Sequence, residues 1–252
     1  MEASSLRHLG LRVLIISRSR SGTIAKDTCS LLPDDVEVLV PESEREEYER
    51  AVQNPIVTVP DEVEGLGRLR NWVLDHFTEE SIVMVDDDVS RLYRLDGAKS
   101  RRVVDRDEAL QVIVNAWVMA RDAGVSVFGF SQTDIRKYSG TEPFGLCSWV
   151  GCVIGVIGRK LRFRDDPFKV DIDFCLQGLL VDRIVWVDNR YCFFQHRDDN
   201  AGGNAKYRTE QAYERSIETL KEKWGDLVRV RTIKSQKSIR LNVQRKQAIV
   251  YE

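Results

Sequence analysis

Three consecutive aspartates, Asp86, Asp87 and Asp88, close the apolar run Ile82-Val83-Met84-Val85. A strand that buries valine and isoleucine gains no stability by ending in adjacent carboxylates, because like charges repel. Side chains alternate across a strand, so Asp86 and Asp88 are expected on one side and Asp87 on the other. Two carboxylates on one side call for a cation between them. Oxygen-only ligands suit Mg²⁺ or Mn²⁺, which bridge to phosphate oxygens. In an open α/β sheet the carboxyl end of a strand is also where ligands bind. The plain alternative is a solvated acidic turn after a core strand.

Other segments carry complementary chemistry. In Lys169-Val170-Asp171-Ile172-Asp173-Phe174 two carboxylates open an apolar helix. Acids at a helix start serve as caps and answer the dipole. Functionally, Asp171 or Asp173 can act as a general base toward an acceptor hydroxyl. His196 directly follows the apolar stretch Tyr191-Cys192-Phe193-Phe194-Gln195, where a metal or phosphate ligand is well placed. The segment 198–208 contains Gly202, Gly203, Lys206 and Arg208, whose small residues and positive charge suit a diphosphate, the plain alternative being a connector. Ser17 and Arg18 end the first strand and begin the loop Arg18-Ser19-Arg20-Ser21-Gly22-Thr23, whose arginines suit phosphate. Arg68, Arg70 and Asn71 lie in the first turns of a helix, near its positive end, and suit an anion or nucleotide.

Together these parts describe sugar transfer from a nucleoside diphosphate. A divalent ion at Asp86 and Asp88 neutralises the leaving diphosphate. The anomeric carbon takes on oxocarbenium character, by analogy with glycoside hydrolysis. A carboxylate on the opposite face deprotonates the incoming hydroxyl, which inverts the anomeric centre.

The elements that must position these residues follow from hydrophobic periodicity. Strands are expected at 12–17, 36–40, 56–59, 125–131, 151–158, 184–187 and 191–194. Helices are expected at about 42–52, 67–77, 106–123, 171–181 and 209–224, the last capped by Thr209 and stopped by Gly225. The segment after the triplet reads as polar and irregular. Alternating strands and helices argue for an α/β fold with a mixed, mostly parallel central sheet flanked by helices.

The 252 residues suffice for one large core, and 31% charge with 42% hydrophobic content is that of an ordinary globular chain. No apolar run approaches a bilayer span and no signal peptide is visible, so a cytoplasmic protein is expected. The five cysteines are dispersed without a Cys-x-x-Cys, and read as reduced core thiols. Three histidines exclude a His-rich metal cluster. Residues 227–251 hold no acid but contain Arg229, Arg231, Lys234, Lys237, Arg240, Arg245 and Lys246. Such a run suits a polyanion, or guards a strand edge against aggregation. The expected division is a catalytic domain at 1–226 and a basic extension at 227–252.

The order of Arg70-Asn71, Val85-Asp86-Asp87-Asp88, Asp171-Ile172-Asp173-Phe174 and His196 resembles metal-dependent glycosyltransferases of the GT-A fold, over roughly residues 11 to 225. That resemblance implies that the Asp-x-Asp binds Mn²⁺ or Mg²⁺ and the donor ribose. It also implies that a late histidine completes the metal shell. The family's Glu-Asp pair supplies the base, and here Val170 replaces its Glu before Asp171. The run from His196 through Gly202-Gly203-Asn204 to Arg208 is similar to the TET-associated glycosyltransferases, including phage enzymes and the base J glucosyltransferase of kinetoplastids. This implies a UDP-sugar donor and DNA bearing 5-hydroxymethylcytosine or 5-hydroxymethyluracil, with DNA modification in a bacteriophage-infected host cytoplasm as one setting. The competing readings are a polysaccharide or protein acceptor, a nucleotidyltransferase, and a non-catalytic nucleotide- or DNA-binding module.

Overall fold

A computed structural model describes residues 2–96, 99–131, 142–166, 169–195, 209–233 and 236–243. In chain order the elements are α1 (Ala3–Leu6), β1 (Leu11–Ile16), α2 (Ser21–Ile24), α3 (Thr28–Leu31), β2 (Glu37–Pro41), α4 (Arg45–Ala51), β3 (Ile56–Val59), α5 (Leu66–His76), β4 (Ser81–Asp86), β5 (Val89–Asp96) and β6 (Lys99–Val103). There follow α6 (Arg106–Asp122), β7 (Val127–Ser131), β8 (Phe144–Gly145), β9 (Val153–Ile157), α7 (Val170–Asp182), β10 (Trp186–Gln195), α8 (Glu210–Trp224), β11 (Val228–Ile233) and β12 (Gln236–Leu241).

The main sheet runs β3-β2-β1-β4-β9-β7-β10-β5-β6, with β8 paired to β10. Strands β5, β8 and β9 oppose the rest, so the sheet is mixed but mostly parallel, as expected. In β1, Val13 and Ile15 enter one core cluster while Leu14 and Ile16 enter the other. In β4, Val83 and Val85 join the first and Ile82 and Met84 the second. Burial on both faces explains why these strands read as unbroken apolar runs. Thr209 caps α8 by accepting from the Ala212 backbone N–H.

Two expectations about elements are corrected. The polar segment after the triplet is the hairpin β5–β6. Val89, Leu92 and Val103 are its buried hydrophobics, too few to signal alternation. The two short strands at 184–187 and 191–194 are one strand, β10. Its first part pairs parallel with β7 and its second part antiparallel with β5, with a register irregularity between Asp188 and Cys192. The polar residues Asp188, Asn189 and Arg190 interrupt the apolar pattern and look like a turn in sequence.

Helix α5 carries Arg70 to the sheet. Gly65 precedes it at φ +91°, a conformation open to glycine. Gly67 lies so close to the chain at Arg164 that a Cβ would stand 2.0 Å from the Arg164 carbonyl oxygen. Gly67→Ala is therefore expected to destabilise the fold by about 1–3 kcal/mol, lowering the melting midpoint by about 2–4 °C per kcal/mol. Calorimetry checks this, and an unchanged midpoint contradicts the close packing. Among the described residues no helix is long and apolar enough to cross a membrane.

Candidate active site

The site forms where β1 and β4 end together. The two strands pair in register from Leu11 with Ser81 to Ile16 with Asp86, so Ser17 and Asp87 follow side by side. Thr28 of α3 fixes the turn after β4: its hydroxyl donates to the Asp86 carbonyl at 2.7 Å and accepts from the Val89 N–H at 3.0 Å. Because β4 stops at Asp86, strand alternation does not extend to the next two residues. The expected split of Asp87 away from Asp86 and Asp88 is thus corrected: all three line one pocket with Ser17, Arg20 and Gln195. Val63, Leu66 and Leu69 give that pocket an apolar wall.

The carboxylates are held at defined angles. Asp86 Oδ1 accepts from Arg70 Nη2 at 3.1 Å. Asp86 Oδ2 and Asp88 Oδ1 both accept from the same Gln195 Nε2, at 3.2 and 2.7 Å. Two oxygens from two residues therefore converge on one point. Arg20 Nη1 donates to Asp87 Oδ1 at 2.5 Å and to Asp88 Oδ2 at 2.8 Å. Ser17 Oγ donates to Asp87 Oδ2 at 2.5 Å and lies 2.6 Å from the Tyr48 hydroxyl, which accepts from the Arg20 N–H.

This is a crowded negative site. Burial pushes the Asp86 carboxyl up to about 7; Arg70 opposes that, while Asp88, Asp87 and Asp171 raise it further. Burial also raises Asp87, to about 6, against the pull of Arg20 and Ser17. Burial works against the Arg20 charge, yet Asp87 and Asp88 outweigh it and hold the guanidinium more firmly protonated than usual. Excess negative charge and convergent oxygens fit a divalent cation. Among the described residues no three His, Cys, Asp or Glu side chains form a metal-holding group. Asp86 and Asp88 supply two ligand positions, and His196 lies outside the described residues.

The two acids of α7 have different surroundings. The Asp171 side chain makes no hydrogen bond or ion pair among the described residues, and its charge is felt at Asp86. Asp173 is fully buried. It accepts from Gln177 Nε2 at 2.7 Å, Lys223 Nζ at 2.8 Å and Trp224 Nε1 at 2.7 Å, which ties α7 to α8.

A model of the family described as TET-Associated Glycosyltransferase matches residues 11–203. The chain belongs to this family. No curated protein matches. Among solved structures it is similar to S. aureus TarS 1-349 in complex with UDP-GlcNAc, at 12% identity and TM-score 0.48, over 82% of this chain and 64% of that one. It is similar to the mannosyltransferase PcManGT of Pyrobaculum calidifontis in complex with GDP-Man and Mn²⁺, at 16% identity and TM-score 0.46, over 71% and 56%. It is also similar to the glucosyl-3-phosphoglycerate synthase of Mycobacterium tuberculosis, at 12% identity and TM-score 0.49, over 92% and 86%. The chain thus spans under two thirds of the TarS fragment and of the mannosyltransferase.

In this TET-associated glycosyltransferase the pocket gathers Ser17, Arg18, Asp86, Asp87 and Asp88, and Arg70 touches it through Asp86. Arg18 is also tied to the Val63 carbonyl at 3.0 Å. Two expected nucleotide-binding residues stand apart. Arg68 pairs at the surface with Asp165 at 2.6 Å. Asn71 spends its amide on the Phe163 backbone, donating at 2.8 Å and accepting at 2.9 Å. Both sit on the side of α5 that meets the 163–165 segment, a placement that position in a helix's first turns does not show. Gly202, Gly203, Lys206 and Arg208 lie outside the described residues. The sequence reading singled out neither Thr28, Tyr48 nor Gln195 as a site residue. Tyr48 left a signal, as an aromatic in the charged run Glu46-Glu47-Tyr48-Glu49-Arg50. Thr28 left none.

Asp173→Ala is expected to cost about 2–4 kcal/mol, because Trp224 and Gln177 lose a buried acceptor. Lys223 is 44% exposed and turns to water. Urea denaturation measures the loss, and wild-type stability contradicts the clasp.

Proposed function

We propose that this protein transfers a sugar from a UDP-sugar to the hydroxyl of a 5-hydroxymethylpyrimidine in DNA, with inversion and with a divalent metal. The observation that carries the reading is the convergence of Asp86 Oδ2 and Asp88 Oδ1 on one point, in a pocket whose negative field includes Asp171. Asp86 and Asp88, with His196 as a further ligand, would hold Mn²⁺ or Mg²⁺, which would supply charge neutralisation for a leaving diphosphate. Arg70 aims Asp86, and Arg20 aims Asp87 and Asp88. Val63, Leu66 and Leu69 offer the apolar surface against which a nucleobase packs. Gly202, Gly203, Lys206 and Arg208, outside the described residues, are assigned to the donor diphosphate. Asp171, with no other partner among the described residues, takes the proton of the acceptor hydroxyl. Asp173 keeps α7 in place for it. Family membership and the acid-free run at 227–251 support DNA as the acceptor.

The test is incubation with Mn²⁺ and a panel of UDP-sugars, scoring donor hydrolysis and thermal protection, followed by transfer to hydroxymethylated duplex DNA. A metal-dependent melting shift with one donor and labelled DNA as product are the expected results. Transfer to a polysaccharide or protein with unmodified DNA product overturns the acceptor assignment. Turnover with the metal chelated overturns the metal site.

A further inference from the structure

We propose that the outward face of the β11–β12 hairpin holds the phosphate backbone of the acceptor DNA, an inference that rests on the DNA-acceptor reading. The register sets Val228 opposite Leu241, Arg229 opposite Arg240 and Val230 opposite Ile239. Alternation then sorts the hairpin into two faces. Val228, Val230, Ile239 and Leu241 pack inward, onto the cluster that also contains Val170 and Ile172 of α7 and Leu220 of α8. Arg229, Arg231 and Arg240 share the other face and are exposed. None of the three side chains makes a hydrogen bond or ion pair among the described residues.

Like charges directly opposite on paired strands destabilise a hairpin. The Arg229–Arg240 pair thus carries a cost that a polyanion relieves. Lys221 of α8 lines the same shallow groove as Arg229 and Arg231, with Asp226 as the acid there. The hairpin is also anchored to α7 and α8 through the shared apolar cluster. It begins just past Lys223 and Trp224, which grip Asp173, and Asp173 lies two residues from Asp171 in α7. That clasp ties α8, from which the hairpin continues, to the helix that carries Asp171. Phosphate contacts of this kind are independent of base sequence and sensitive to salt.

The experiment compares wild type with the triple variant Arg229→Gln, Arg231→Gln, Arg240→Gln, and with the charge-conserving variant carrying lysine at all three positions. Fluorescence anisotropy with a hydroxymethylated duplex is measured over a KCl series, and transfer kinetics are measured on the same duplex. The glutamine variant is expected to bind at least tenfold more weakly at low salt, with a log–log salt slope shallower by about 0.9 per lost contact. Its KM for DNA rises while its kcat at saturating DNA stays near wild type. The lysine variant restores the slope. Wild-type affinity and slope in the glutamine variant overturn this inference and leave the acceptor reading standing. Wild-type protein that neither binds duplex DNA salt-dependently nor glycosylates it overturns the acceptor reading itself, and this inference with it. Equal loss in the glutamine and lysine variants points to shape rather than charge and overturns the proposal.

Discussion

Asp88→Ala is expected to lower sugar transfer by about 10³-fold, on the scale of about 1.4 kcal/mol per tenfold and several kcal/mol for a Lewis-acid cation. Asp88 presents Oδ1 to the point it shares with Asp86, and Oδ2 to Arg20. Removing it leaves one carboxylate of the pair and halves the ligand set that the described residues provide. Folding is expected to survive, because Arg20 keeps Asp87 and the turn is fixed by Thr28 through the backbone. Losing one of three crowded acids also relieves repulsion, which offsets the lost ion pair. Steady-state kinetics over an Mn²⁺ titration, beside a melting curve, provide the check. Undiminished transfer by the variant sinks the site.

Asp171→Asn is expected to reduce transfer by about 10²–10⁴-fold, the usual contribution of a general base, while donor binding persists. The amide keeps the shape of the side chain but cannot accept a proton. The residue's lack of partners among the described residues makes a structural cost small, in contrast with Asp173. The kinetic signature is a fall in kcat with the UDP-induced melting shift retained. Should Asp173→Asn alone lose transfer in a fully folded protein, with Asp171→Asn active, the base has been assigned to the wrong residue.

Much of the scaffold was legible before any coordinates. Strands β1, β3, β4 and helices α5, α6, α8 carry their periodicity and stop signals in their own residues and immediate neighbours, and they lie where the pattern puts them. The acidic strand end at Asp86–Asp88 was legible for a local reason too: carboxylates after a fully apolar strand have few structural explanations. Strand β10 was not, because its continuity comes from two different partners, β7 and β5, and not from its own composition. Hairpin β5–β6 was missed because three buried side chains are too few to form a pattern.

The amino-acid sequence by itself determined the α/β architecture, the acidic cluster, the pair of acids opening α7 and the basic run beyond residue 227, since each is a property of neighbours along the chain. Only tertiary structure decided which of these residues meet. It turned Asp87 into the same pocket as its flanking aspartates, through a turn that ends strand alternation. It diverted Arg68 and Asn71 to the 163–165 segment, and it brought in Thr28, Tyr48 and Gln195 from three distant elements. It also buried Asp173 under Lys223 and Trp224 while leaving Asp171 without a partner among the described residues. The physical reason is that a carboxylate's role depends on the donors and dielectric around it, and packing between segments far apart in the chain sets both.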